Sequence, residues 1–84
     1  MRLVEETYSL TSHFPGNEKF GLASQVQRSS VSVPSNIAEG QAKDSTKDYL
    51  RFISMSLGSL AELETQLIIS RRLNYITETH LTEI

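Results

Sequence analysis

The chain has 84 residues, no cysteine, and eight Lys and Arg against ten Asp and Glu, for a formal net charge of −2. A chain of this length is one domain at most and buries only about 60–65% of the surface its unfolded form exposes, so partner subunits are a natural remedy. The missing thiols exclude disulfides, thiolate nucleophiles and cysteine metal centres and fit a cytoplasmic setting, while the acidic balance argues against a phosphate-binding surface spread over the whole chain and leaves room only for a local basic face.

The opening residues, Met1 to Glu6, reach acidic side chains before any apolar run develops and do not read as a signal peptide. No apolar run approaches the ~18 residues of a membrane span. Leu3 to Ser12 carries Leu3, Val4, Tyr8 and Thr11 at helical spacing. It reads as the last turns of a helix that has no N-terminal cap. His13 to Asn17, with Pro15 and Gly16, stops it.

Phe20 to Glu39 places Leu22, Val26, Ser30, Val33 and Ile37 on one face. Pro34 lies inside this pattern, where it removes the bond to the Ser30 carbonyl at a cost of ~3 kcal/mol if nothing compensates. Either one kinked helix or two short ones would result, and the unbroken stripe favours one. Ser24, Ser29, Ser30, Ser32 and Ser35 give this helix small sides that let a neighbour approach closely. Gly40 is expected to terminate it, and Gly40 to Ser45 forms the loop, with Asp44 or Ser45 as the next cap and Asp48 in the first turn.

Thr46 to Asn74 is the longest predicted helix. Tyr49, Ile53, Leu57, Leu60, Leu67 and Ile68 form a broad apolar stripe, with Asp48, Arg51 and Glu62 roughly opposite. Met55, Ile69 and Leu73 lie near that opposite side. They are either a second buried face meeting another subunit or isolated exposed residues. Gly58 sits mid-helix, where close packing would explain it, and Arg71 and Arg72 complement the carbonyl end. Thr77 can cap a further helix carrying Leu81 and Ile84. Both ends of the sequence look cut.

Catalytic groupings are missing from the pattern. His13 and His80 are the only histidines, and neither has a metal-ligand partner at helical spacing. No nucleophile elbow, Ser-x-x-Lys or phosphate loop occurs. Glu64 projects into the apolar stripe, with Gln25 and Arg28 as candidate partners. A buried carboxylate there is either a tuned acid or a polar contact fixing helix register, and the second is favoured because no second base accompanies it. Arg28, Lys43, Lys47 and Arg51 are the candidate nucleic-acid contacts, although Asp44 and Asp48 interleave with the last three and dilute their field. Gln25, Asn36, Glu39 and Glu64, with Met55 and Ile69, are candidates for buried polar contacts or an interface. No enzyme, metal or cofactor is expected.

Two blocks carry a resemblance. Ser24 to Gly40, SQVQRSSVSVPSNIAEG, resembles the block SQIRRAAVSIPSNIAEG, and Gly58 to Leu67, GSLAELETQL, matches a second block of the same family. Phe20-Gly21-Leu22 also stands where that family has the same tripeptide. The family is that of the proteins encoded in intervening sequences of bacterial 23S rRNA genes. The resemblance covers nearly the whole chain. It implies an all-α, antiparallel up-and-down four-helix bundle over residues 1–84, with first and last helices truncated here, and a ring-shaped homopentamer. Through the related accessory protein of diversity-generating retroelements it also implies contact with RNA or DNA and with a reverse transcriptase. The family usually has a basic pair where this chain has Gln27-Arg28, which removes one expected nucleic-acid contact. A non-catalytic, self-associating module is therefore expected, either RNA-associated or acting purely through protein contacts.

Overall fold

The computed structural model describes residues 1–77, and these residues form three α-helices and no strand. Helix α1 spans Arg2–Thr11, α2 spans Leu22–Gln41 and α3 spans Thr46–Arg72, with a short 3-10 helix at Gly16–Glu18. Thr77 ends the described chain, so the expected last helix with His80, Leu81 and Ile84 lies outside the described residues.

Helices α2 and α3 form a long antiparallel hairpin within a body of 44 × 24 × 18 Å. Ser45 starts α3 as expected, its hydroxyl accepting the Asp48 N–H at 3.1 Å. Asn74 ends it in the left-handed region at φ 63°, with the Tyr75 N–H bonding the Ser70 carbonyl and the Asn74 N–H the Arg71 carbonyl. That pairing satisfies two of the last carbonyls and turns the chain back onto the bundle.

The core sits at one end of the hairpin. Leu10 and Phe14 from the first segment, Ala23 and Val26 from α2, Leu63 and Leu67 from α3, and Ile76 meet there. Complete burial of a side chain such as Val26 or Leu63 contributes about 1.5–3 kcal/mol. At the other end only α2 and α3 remain, closed around Phe52.

Pro34 does not divide its segment: α2 is one helix, the outcome the unbroken stripe favoured, and Ser56 Oγ of α3 donates to the Val33 carbonyl at 2.8 Å in the turn Pro34 disturbs. Two expectations about glycines are corrected. Gly40 is not a terminator but a buried helical residue, the helix ending with Gln41. A Cβ on it would lie 2.9 Å from Phe52 Cβ, so the glycine is what lets the helices touch. Gly58, where close packing was expected, faces open space.

The apolar stripe of α3 is also rotated from its expected role. The buried face of α3 is Phe52, Ser56, Leu63, Gln66, Leu67 and Ser70, centred about 90° round the helix from the expected stripe, with which it shares Leu67. Small residues make that contact close: Ser30 and Ser70 are fully buried, each hydroxyl bonding a carbonyl of its own helix (Gln27 at 2.8 Å and Gln66 at 2.8 Å). Such hydroxyls enter a core without leaving an unmet donor.

Candidate functional site

The loop end of the hairpin gathers three of the eight basic side chains. Lys43 follows α2, and Lys47 and Arg51 lie one turn apart at the start of α3, all exposed. Lys43 Nζ stands 5.3 Å and Arg51 Cζ 4.7 Å from the ring centroid of Phe52. The close approach at Gly40 seats that ring between the helices, where it is only 7% exposed. It anchors two cations but offers no face for a stacked base. Arg51 also meets Asp48 at 3.9 Å, an exposed pair of small energetic weight. Arg28, exposed on α2, is not brought to this cluster. It lies some 13 residues before the helix end, about 20 Å away, beside Tyr8 and Val31 in a shallow groove between α1 and α2.

At the middle of the hairpin neither Glu62 nor Glu64 is buried, and the contact expected of Glu64 is made by Glu62. Glu64 is exposed and does not meet Gln25 or Arg28, which are exposed too. Glu62, two residues earlier, makes the inter-helix contact. Its Oε1 accepts from Ser29 Oγ at 2.9 Å and from Gln66 Nε2 at 3.3 Å. The physical reason is the rotation of α3: Glu64 follows the stripe, and the stripe faces away from α2. Gln66 is 8% exposed and its Oε1 accepts no bond, a buried acceptor left unmet. Of the other interface candidates, Glu39 is exposed, and Asn36 is half-buried with its Nδ2 donating to the Ser32 carbonyl of its own helix at 2.8 Å. Met55 and Ile69 are exposed, so they form no buried face in the single chain.

A contact that no local pattern announces closes the core end. Glu18 Oε1 accepts the Leu22 N–H at 3.2 Å and so caps α2, while its Oε2 accepts from Tyr75 OH at 2.7 Å. The Tyr75 bond, then the Leu22 bond, holds the Glu18 carboxyl below its usual range, and the same phenol bond pushes Tyr75 up. Tyr75 also rests against Phe14, ring centroids 5.4 Å apart. The only sequence signal was a carboxylate just before a helix start, the position that favours negative charge.

The largest uncovered feature is the α3 stripe. Leu50, Leu57, Leu60 and Ile68 are 56%, 62%, 41% and 49% exposed. Leu60 also lines a cleft of about 230 Å³ with Leu3, Leu63, Glu64 and Leu67. Among the described residues no group of three or more His, Asp or Glu converges as a metal site, and no helix is long and apolar enough to cross a membrane.

In a comparison with known families, the model described as 23S rRNA-intervening sequence protein matches residues 1–84, the whole chain. No curated protein matches.

Proposed function

The chain belongs to the 23S rRNA-intervening sequence protein family, and from that premise we propose that it is a non-catalytic helical protein that self-associates and acts as an RNA-associated accessory. The observation that carries self-association is the apolar stripe of α3, four large side chains left in solvent on a chain too small to waste them. In the up-and-down four-helix bundle implied by the resemblance, a fourth helix covers part of this stripe. Assembly covers the rest, and the resemblance implies a ring of five. The absence of a catalytic role rests on the make-up of the chain: no cysteine and two histidines far apart in sequence.

The RNA role rests on the family's association with rRNA genes and on the loop-end cations Lys43, Lys47 and Arg51. With Phe52 buried beneath two of them, binding runs through phosphates and is indifferent to base sequence. Three such contacts on single-stranded RNA give a slope of about −2 in log affinity against log salt. The test is a filter-binding titration at low salt. Retention with that slope, lost on Lys47→Glu, supports the role, and no retention at low salt refutes it. A protein-only role, with a co-encoded protein such as a reverse transcriptase as partner, is the second reading. It is favoured by the net charge of −2 and by Asp44 and Asp48 among the cations.

A further inference from the structure

We propose that the groove between α1 and α2 is a subsite for single-stranded RNA, with the Tyr8 ring stacking on a base and the Arg28 guanidinium holding the adjoining phosphate. The inference rests on the RNA role proposed above and adds to it a second contact, different in kind and away from the loop end.

The groove has a volume of about 590 Å³ and is lined by Tyr8 of α1 and by Ser24, Gln27, Arg28, Val31 and Ser32 of α2. That volume falls in the range of small-molecule sites, about 300–1,000 Å³. Ser24, Arg28 and Ser32 recur every four residues, so they stand on one side of α2, a turn apart. The two walls are tied together. Gln27 Nε2 donates to Thr11 Oγ1 of α1 at 3.0 Å, and that hydroxyl donates to the Tyr8 carbonyl at 3.0 Å.

The polar groups of the groove are unclaimed. Elsewhere in the helices, the hydroxyls of Thr7, Ser30, Thr65 and Ser70 bond carbonyls of their own helix. Those of Ser24 and Ser32 do not, and among the described residues Arg28 and the Tyr8 phenol have no partner either. No carboxylate lines the groove, and Glu6 of α1 is taken by Arg2 at 2.7 Å. The loop end differs, because Asp44 and Asp48 stand among its cations.

A guanidinium with a hydroxyl one turn to either side suits a phosphate. The Tyr8 ring, 47% exposed, adds the open aromatic face that a base stacks on and that buried Phe52 lacks. Ring and cation together select a nucleotide over a bare anion. They select a single strand over a duplex, whose bases already stack on one another. The loop end lies about 20 Å from Arg28, a distance spanned by about six nucleotides of a stacked strand.

The test titrates the chain at low salt with a labelled single-stranded RNA of about twelve nucleotides and with an abasic strand of the same length and charge. The parent protein is expected to bind the strand with bases about tenfold more tightly than the abasic one. Tyr8→Leu is expected to lose that preference and keep the abasic affinity, whereas Tyr8→Phe keeps both. Arg28→Gln is expected to weaken both strands and to lower the salt slope by about 0.7, the contribution of one phosphate on a single strand. Far-UV circular dichroism checks that the variants keep their helicity, and the comparison of the two strands on the parent needs no variant. Equal binding of the two strands by the parent, an indifferent Tyr8→Leu, or an unchanged slope in Arg28→Gln overturns the subsite while the phosphate contacts of the loop end stand. No retention of either strand at low salt overturns both.

Discussion

Replacing Gly40 by alanine tests whether the hairpin is held by a true helix-to-helix contact at its loop end. The added Cβ would lie 2.9 Å from Phe52 Cβ, 3.2 Å from Tyr49 Cδ1 and 3.3 Å from the Tyr49 carbonyl oxygen. The first and last of these atoms are fixed by the α3 backbone and cannot swing away, so the two helices must part by a few tenths of an ångström. Overpacking of this sort costs about 1–3 kcal/mol. Against it stands the gain of about 1 kcal/mol when alanine replaces glycine inside a helix. The net expectation is a loss of about 1 kcal/mol, equivalent to about 4–8 °C in melting temperature for a domain of this size. Gly58→Ala is the internal control, since nothing stands within 4 Å of its Cβ position. The propensity gain then acts alone and stabilises by about 1 kcal/mol. Urea unfolding followed by far-UV circular dichroism, on both variants at one protein concentration, should separate them by about 2 kcal/mol. A Gly40→Ala protein as stable as the parent would refute the close contact.

Two further outcomes follow from the polar contacts. Glu18 titrates below its usual range, so its contribution to stability is present above the unfolded carboxylate range and is lost as pH falls through the lowered value. Tyr75 titrates above its usual range, so its contribution is present below that range and is lost as pH rises through the raised value. Melting temperature followed across pH should therefore fall at both extremes, and Tyr75→Phe should flatten both limbs; an unaltered profile would refute the clasp. Gln66→Met exchanges a buried amide with an unmet acceptor for an apolar chain of similar volume and gives up one long bond to Glu62. The change is expected to lie between neutral and about 1 kcal/mol stabilising, read from urea midpoints, and a loss above that range would mean that the amide orders the interface.

The helices were legible in the chain because their signals are local. Leu3 to Ser12 became Arg2–Thr11, Phe20 to Glu39 became Leu22–Gln41, and the Ser45 cap stands where its side chain type placed it. The packing was less legible, for a physical reason. Periodicity weighs large apolar side chains, and here Leu50, Leu57, Leu60 and Ile68 of α3 face outward while Ser29, Ser30, Gly40, Ser56 and Ser70 share the contact with Phe52, Leu63 and Leu67. The same rotation exchanged Glu64 for Glu62. The Ser29–Glu62 and Tyr75–Glu18 bonds join residues 33 and 57 apart, a separation no window of local pattern spans. Of the candidate site, the cluster of Lys43, Lys47 and Arg51 follows from sequence neighbourhood, whereas its organisation around Phe52 and the separation of Arg28 required the fold.

The inward-facing hydroxyls also say which positions are free to drift. Ser30 bonds only the carbonyl of its own helix, so alanine fills the same volume and breaks no bond between helices. Ser29 reaches across to Glu62, so the same exchange there removes a tie between α2 and α3. The family block quoted above carries Ala-Ala at these two places. The first exchange is a silent one, a letter that can change while the surface pressed against its neighbours stays the same. The second moves the task of holding the hairpin in register to contacts such as the bond from Ser56 to Val33 and the close fit at Gly40.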